Sequence, residues 1–376
     1  MSNSIHNYIL SKLQQRKDEN NFRSLKITNG LVDFYSNDYL GFARDQKLKE
    51  KVQHEIKSHH NSFLGSTGSR LLSGNTDYAE SLEKFLAEFH KAESALIFNS
   101  GFDANYGILS TLPYRGDTII YDELIHASIH DGIRNSKANS ISFSHNNISE
   151  LEEKLKSATG LKYVVIESIY SMDGDFAPLK AIATLCEKHE AGLIVDEAHA
   201  TGITGAKGEG RVINEIPDAK VLARVHTFGK AVGAHGAVVL CSNELKEFLI
   251  NYCRPFIFST ALPLSSLAAI KCSYELLNEA NDKREKLFSL ITFFKNQVHS
   301  KNNFQLITSD SPIQSVVVSG NEPVKEFASK IQEHGLDVRP ILYPTVPKGK
   351  ERIRICLHSF NSEEEVSKLA QIINSL

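Results

Sequence analysis

The chain is expected to be an α/β protein with a mostly parallel sheet covered on both faces, followed by a smaller α+β unit. Three observations carry this. Tyr163-Val164-Val165-Ile166-Glu167 and Gly192-Leu193-Ile194-Val195-Asp196 are nearly continuous apolar runs, as in strands buried on both sides. Such runs recur between segments that read as helices, the spacing of crossover connections. After about residue 285 the character changes to short strand-like stretches and two helices. At 376 residues the chain is too long for one simple core. The expected boundaries are 1–47 for an N-terminal helix and short strands, 48–284 for the large domain and 285–376 for the small one.

In chain order, Leu10 and Leu13 among mixed charges predict an N-terminal helix with a polar face. Residues 25–36 alternate as short strands around Thr28-Asn29-Gly30. Ser94–Phe98 and Asp117–Tyr121 read as strands, with helices expected after Ser100-Gly101 and from about Ser128. A helix over 179–190 separates the two long apolar runs. Val221–Val225 is a further strand, and small residues after Lys230 lead into the apolar Val238-Val239-Leu240. Residues 263–300 read as helical, with Pro263 suiting a first turn. The last unit is read as a strand at 314–318, a helix near 323–334, strands near 336–341 and 352–357, and a helix from about 362.

Composition narrows the function. With 41% hydrophobic and 23% charged residues and a net charge of −3, the chain has no basic excess for nucleic acid or a membrane surface. No segment approaches a membrane-spanning length of about 18 to 20 apolar residues, and the first residues do not read as a secretory signal. The five cysteines are odd in number and widely spaced, so buried free thiols in a reducing, cytoplasmic setting are expected. No GxGxxG or Walker A pattern is present, which argues against dinucleotide and P-loop chemistry.

Residues able to carry chemistry cluster just beyond the expected strand ends, where ligands bind in parallel sheets. Lys230 follows one strand; it is either a Schiff-base lysine or a loop lysine reaching to water. Asp196 ends another, with His199 three residues on. A partly desolvated carboxylate there needs a cationic partner, such as a protonated pyridine nitrogen, or simply caps the next turn. Ser100-Gly101-Phe102 opens a helix, which suits either a phosphate or plain capping. His126 stands at a strand-to-helix junction and could stack on a flat ring or sit in a turn. Arg70 in a Gly/Ser-rich stretch invites an anion. Arg352 and Arg354 alternate on one strand, which suits carboxylate binding or a solvated face.

Together these stretches resemble the α-oxoamine synthases, a family of fold-type I pyridoxal-phosphate enzymes, from about residue 20 to 376. Ser36–Gly41 looks like the family's SNDYLG. Ser171–Asp175 with Ala177-Pro178-Leu179 looks like its SMDGD and APL segments. Phe256–Thr260 is similar to its FIYST, and Thr227-Phe228-Gly229-Lys230 matches its lysine motif. The resemblance implies a large, mostly parallel seven-stranded sheet domain, a small C-terminal α+β domain and an N-terminal extension. It implies pyridoxal 5'-phosphate as cofactor; Asp196 and His199 could also belong to a metal site, but no third ligand stands at metal spacing, so no metal is expected. Lys230 would hold the cofactor covalently, Asp196 would pair its ring nitrogen, and His199 and Ser171 would lie at its phenolic oxygen. His126 would stack on the ring and also donate a proton. The amides of Gly101 and Phe102, with Thr227, would bind the phosphate. Ser259 and Thr260 would reach a partner subunit's phosphate, so a homodimer with shared sites is implied. Arg354 would hold the amino-acid carboxylate, Asn37 would cover the substrate pocket, and Arg23 would grip the acyl substrate. The run Val338–Pro347 most resembles the branch that condenses L-alanine with a pimeloyl thioester, on coenzyme A or acyl carrier protein, towards biotin. A glycine-using acetyltransferase of the family, or an aminotransferase on the same fold, would be the alternatives.

Overall fold

The computed structural model describes residues 4–27, 30–59, 64–301, 303–307 and 309–376. Contacts within the chain group it into two compact units. The larger comprises Asn37–Ser171 and Phe176–Glu285; the smaller comprises Met1–Ser36, Met172–Asp175 and Lys286–Leu376. The units follow contacts rather than chain order, since residues 1–36 pack with the C-terminal segment.

The larger unit is built on seven strands: β1 (Ser94–Phe98), β2 (Thr118–Asp122), β3 (Asn139–Phe143), β4 (Lys162–Glu167), β5 (Ala191–Asp196), β6 (Val221–Thr227) and β7 (Ala237–Cys241). Their spatial order is β1-β7-β6-β5-β4-β2-β3. All neighbours are parallel except β7, which runs antiparallel to both β1 and β6. The alternation of side chains divides each strand between two cores. Val165, Ile194, Ala223 and Val225 face helices α1 (Gly101–Thr111) and α2 (Ala127–Asn135). Val164, Ile166, Leu193 and Val195 face α3 (Ile148–Ser157) and α4 (Leu179–Lys188). This two-sided burial explains the continuous apolar runs in the sequence. Ser100 caps α1 by accepting from Asp103 N at 3.1 Å, and Asn147 caps α3 in the same way. Gly132 lets α2 pack tightly on α1: a Cβ there would lie 2.9 Å from Leu109 Cβ.

In the smaller unit, β8 (Gln305–Ile307), β9 (Ile313–Val317), β10 (Arg339–Ile341) and β11 (Arg352–Cys356) form an antiparallel sheet in the order β10-β11-β9-β8. Helices α5 (Asn321–Glu333) and α6 (Glu363–Ser375) accompany it, and Ser362 with Glu365 forms a capping box at the start of α6.

Three expectations need correction. No strand precedes Gly30 among the described residues, and Thr28 and Asn29 lie outside them. Leu25 and Ile27 are almost fully exposed, so that stretch has no face to bury as a strand. Val32–Asp33 instead pairs in parallel with Leu336–Asp337. The expected strand at 336–341 is therefore two, because its first residues pair with Val32–Asp33 and its last with β11. The helical stretch 263–300 is also two helices, Leu264–Leu277 and Asn281–Gln297, with Pro263 as the N-cap of the first.

Candidate active site

Glu167, Asp196 and Thr227 end three adjacent strands of the larger unit, and their alternation places all three on the face covered by α1. Glu167 and Asp196 are register partners. At the strand ends the apolar pattern that built the core gives way to polar groups.

Asp196 is 6% exposed, and both its oxygens accept hydrogen bonds. Asn105 Nδ2 donates to Oδ2 at 2.7 Å and the Ala198 amide to Oδ1 at 2.8 Å. Asn105 also lies 3.1 Å from Ser128 Oγ, which in turn is 2.8 Å from His126 Nδ1. A chain of hydrogen bonds therefore runs from His126, the N-cap of α2, to the Asp196 carboxylate. Burial pushes the His126 imidazole below its ordinary range; Asp196 pulls it up, and Lys230 and His130 push it further down. A neutral ring suits stacking on a flat ligand better than ion pairing.

Lys230 Nζ lies 2.7 Å from His199 Nε2, and His199 Nδ1 lies 2.8 Å from the hydroxyl of Tyr39. Tyr39 is fully buried and also donates to Asn37 Oδ1 at 3.1 Å. Glu167 accepts from the Ser171 amide at 3.1 Å. Its other oxygen, Oε1, is buried with no hydrogen-bond partner among the described residues. Burial raises the Glu167 carboxyl well above the usual range, with Asp196 raising it further and Lys230 opposing. Its burial beside Asp196 therefore favours the uncharged form of Glu167.

At the other end of this cluster, Gly101 and Phe102 open α1, where the first amides have no acceptor within the helix. A Cβ on Gly101 would lie 3.4 Å from both Cβ and Oγ1 of Thr227, so a side chain there would narrow the space before Thr227. Ser259 and Thr260 stand beside this end of β1: Asn99 Nδ2 donates to the Thr260 carbonyl at 2.8 Å. The donor set fits a protonated pyridine ring with a phosphate on one side and an aldehyde on the other. A buried carboxylate would suit the ring nitrogen, a helix N-terminus and a threonine would suit the anion, and a lysine amine would suit the aldehyde.

In the smaller unit, Arg352 and Arg354 of β11 are both buried, which excludes a solvated face. Arg352 is ion-paired with Asp173 and Arg354 Nη1 lies 3.0 Å from Cys356 Sγ. Arg23 is exposed and donates to Thr345 Oγ1 at 3.1 Å. Arg70, expected to invite an anion, already has one: it is bonded to the buried Glu83 at 2.7 Å and to Asn75 at 2.7 Å. All five cysteines are buried free thiols.

Sequence reasoning missed Tyr39, Asn105 and Ser128, and it gave the strand-end Glu167 no role. Asn105 carried a usable signal. It lies four residues, one helical turn, beyond Gly101 and so on the same face of α1. Tyr39 lies in the Ser36–Gly41 motif, but nothing local tied it to His199, which is 160 positions away in the chain.

The family model for class I and II aminotransferases matches residues 29–373. An 8-amino-7-oxononanoate synthase from Emericella nidulans is 40% identical over 392 residues, covering 96% of this chain and 93% of the relative. The solved 8-amino-7-oxononanoate synthase of Francisella tularensis superposes with a TM-score of 0.78 at 30% identity, covering 93% of this chain and 98% of that one. A serine palmitoyltransferase variant from S. paucimobilis, solved with bound PLP-myriocin, gives a TM-score of 0.88 at 27% identity, covering 100% and 98%.

Proposed function

We propose a reaction for a chain that belongs to the class I and II aminotransferase family and, within it, to the α-oxoamine synthases. The protein is a pyridoxal-phosphate-dependent acyltransferase of biotin biosynthesis. It condenses L-alanine with a pimeloyl thioester, giving 8-amino-7-oxononanoate, CO2 and the free thiol. The single observation that carries this is the convergence of Lys230, His199 and Asp196 at the ends of β5 and β6, in a chain 40% identical to a named synthase.

Pyridoxal 5'-phosphate, when bound, supplies an electron sink that lets the alanine Cα give up its proton and then attack the acyl carbon. The chain's residues make that possible. Asp196, fixed by Asn105 and Ala198, would keep a proton on the ring nitrogen. His199 would hydrogen-bond the phenolic oxygen, with Ser171 nearby, and His126 would press on the ring face. Gly101, Phe102 and Thr227 would anchor the phosphate. Lys230 Nζ would be the base that takes the alanine Cα proton, and it would return a proton after CO2 leaves. Glu167 is buried beside Asp196, and the upward shift of its carboxyl disfavours a second negative charge there. Arg354 would hold the alanine carboxylate, Asn37 would cover the substrate, Arg23 would grip the acyl group, and Ser259 and Thr260 would reach the cofactor phosphate of a second subunit.

The test is Lys230→Ala in cofactor-loaded protein. The covalent absorbance band and alanine-dependent product formation should both disappear. Product formation that persists without Lys230 would remove it from the chemistry. Thiol release with glycine in preference to alanine would move the protein to another branch of the family.

A further inference from the structure

We propose that Tyr39 is a positioning residue for this reaction, its hydroxyl setting which nitrogen of His199 carries a proton beside Lys230. The inference rests on the reading of Lys230 and His199 given above. The geometry is a relay of three contacts: Asn37 Oδ1 accepts from Tyr39 at 3.1 Å, Tyr39 Oη meets His199 Nδ1 at 2.8 Å, and His199 Nε2 meets Lys230 Nζ at 2.7 Å.

A phenol has one hydrogen to give. With that hydrogen on Asn37, Tyr39 must accept from His199, so Nδ1 carries the proton. In the unloaded enzyme Nε2 is then a lone pair, and it accepts from the Lys230 amine. When a negatively charged ring oxygen faces Nε2, that nitrogen must donate. Nδ1–H remains bound to Tyr39, so the imidazole becomes a cation with both protons held. Tyr39 thus favours a positive His199 next to the Lys230 nitrogen. The buried ring of Tyr39, with its centroid 6.2 Å from that of His199, leaves little freedom to break the contact. The other titratable groups close enough to feel Lys230 are His126 of the α2 turn and Glu167 of β4, and both also feel Asp196 of β5.

The experiment uses Tyr39→Phe in the cofactor-loaded full chain and follows the pH titration of the visible band, which reports the proton on the Lys230 nitrogen. Loss of the hydroxyl leaves His199 neutral, so that nitrogen keeps its proton to higher pH. The midpoint should rise by about one pH unit, a roughly tenfold change in proton affinity. In a His199→Gln background the same substitution should move nothing. An unchanged midpoint, or an equal shift without His199, would overturn the proposal. Nitrogen-15 NMR of the unloaded wild-type protein, with His199 assigned through His199→Gln, gives a second reading. The neutral ring should be the Nδ1–H tautomer, and the Nε2–H tautomer would overturn the proposal even if Tyr39→Phe does not fold. Failure of the functional reading looks different: the wild-type protein would then show no covalent band, while the NMR result would stand by itself.

Discussion

At the scale of single residues, the site depends on polar groups whose partners come from other elements. Asp196 is oriented by Asn105, and the two oxygens of Glu167 are treated differently, one bonded to Ser171 N and one left buried. Asp196→Ala should therefore lower turnover by roughly two to three orders of magnitude, the scale of leaving a buried charge without its partner. Steady-state rates at saturating alanine check this, with cofactor content measured alongside; a loss under tenfold would mean the carboxylate does not govern the ring. Asp196, His199 and Lys230 were legible because each follows an apolar run, where a polar residue is out of pattern. Asn105, Ser128 and Tyr39 were not, because a hydrogen bond across 91 or 160 positions leaves no local periodicity. The role of Arg70 was misread for the same reason: its anion, Glu83, lies on a helix 13 positions on.

At the scale of elements, the opening of α1 should separate binding from folding. Gly101→Val would put side-chain atoms into the space before Thr227 while leaving the core of α1 unchanged. Cofactor affinity should fall about tenfold or more, with the thermal midpoint of the unloaded protein moved by no more than a few degrees. Titration of the visible band and a melting curve distinguish this from simple destabilisation. The long strands and most helices could be read from the sequence because two-sided burial writes an unbroken apolar run. β3 could not: Asn139, Ser140 and Ser142 are exposed, as an edge strand's residues often are, and they show no run. The pairing of Val32–Asp33 with Leu336–Asp337 joins segments too short and too distant for any pattern.

The whole molecule contains a second polar group behind β6. His90 and His226 are fully buried with ring centroids 4.1 Å apart, and His90 is held by Tyr274 at 3.0 Å and the Glu209 carbonyl at 2.9 Å. Burial, with Arg224 nearby, lowers His90 from 6.5 to about 3, and burial drives His226 well below its ordinary value. The unfolded chain takes up protons on both as pH falls below about 6.5, while the folded chain does not. Stability from these groups is therefore present above that pH and is lost towards pH 3, by on the order of a few kcal/mol. Denaturant unfolding of the cofactor-free protein between pH 7 and 4.5 should show this slope, and His90→Gln should flatten it by about one proton. The central claim is tested most directly by the stoichiometry of the reaction. Purified protein with pyridoxal 5'-phosphate, carboxyl-labelled L-alanine and pimeloyl-coenzyme A should release labelled CO2 and free thiol one to one, each requiring the other substrate. Pyruvate formation without CO2, or thiol release that does not depend on alanine, would contradict it.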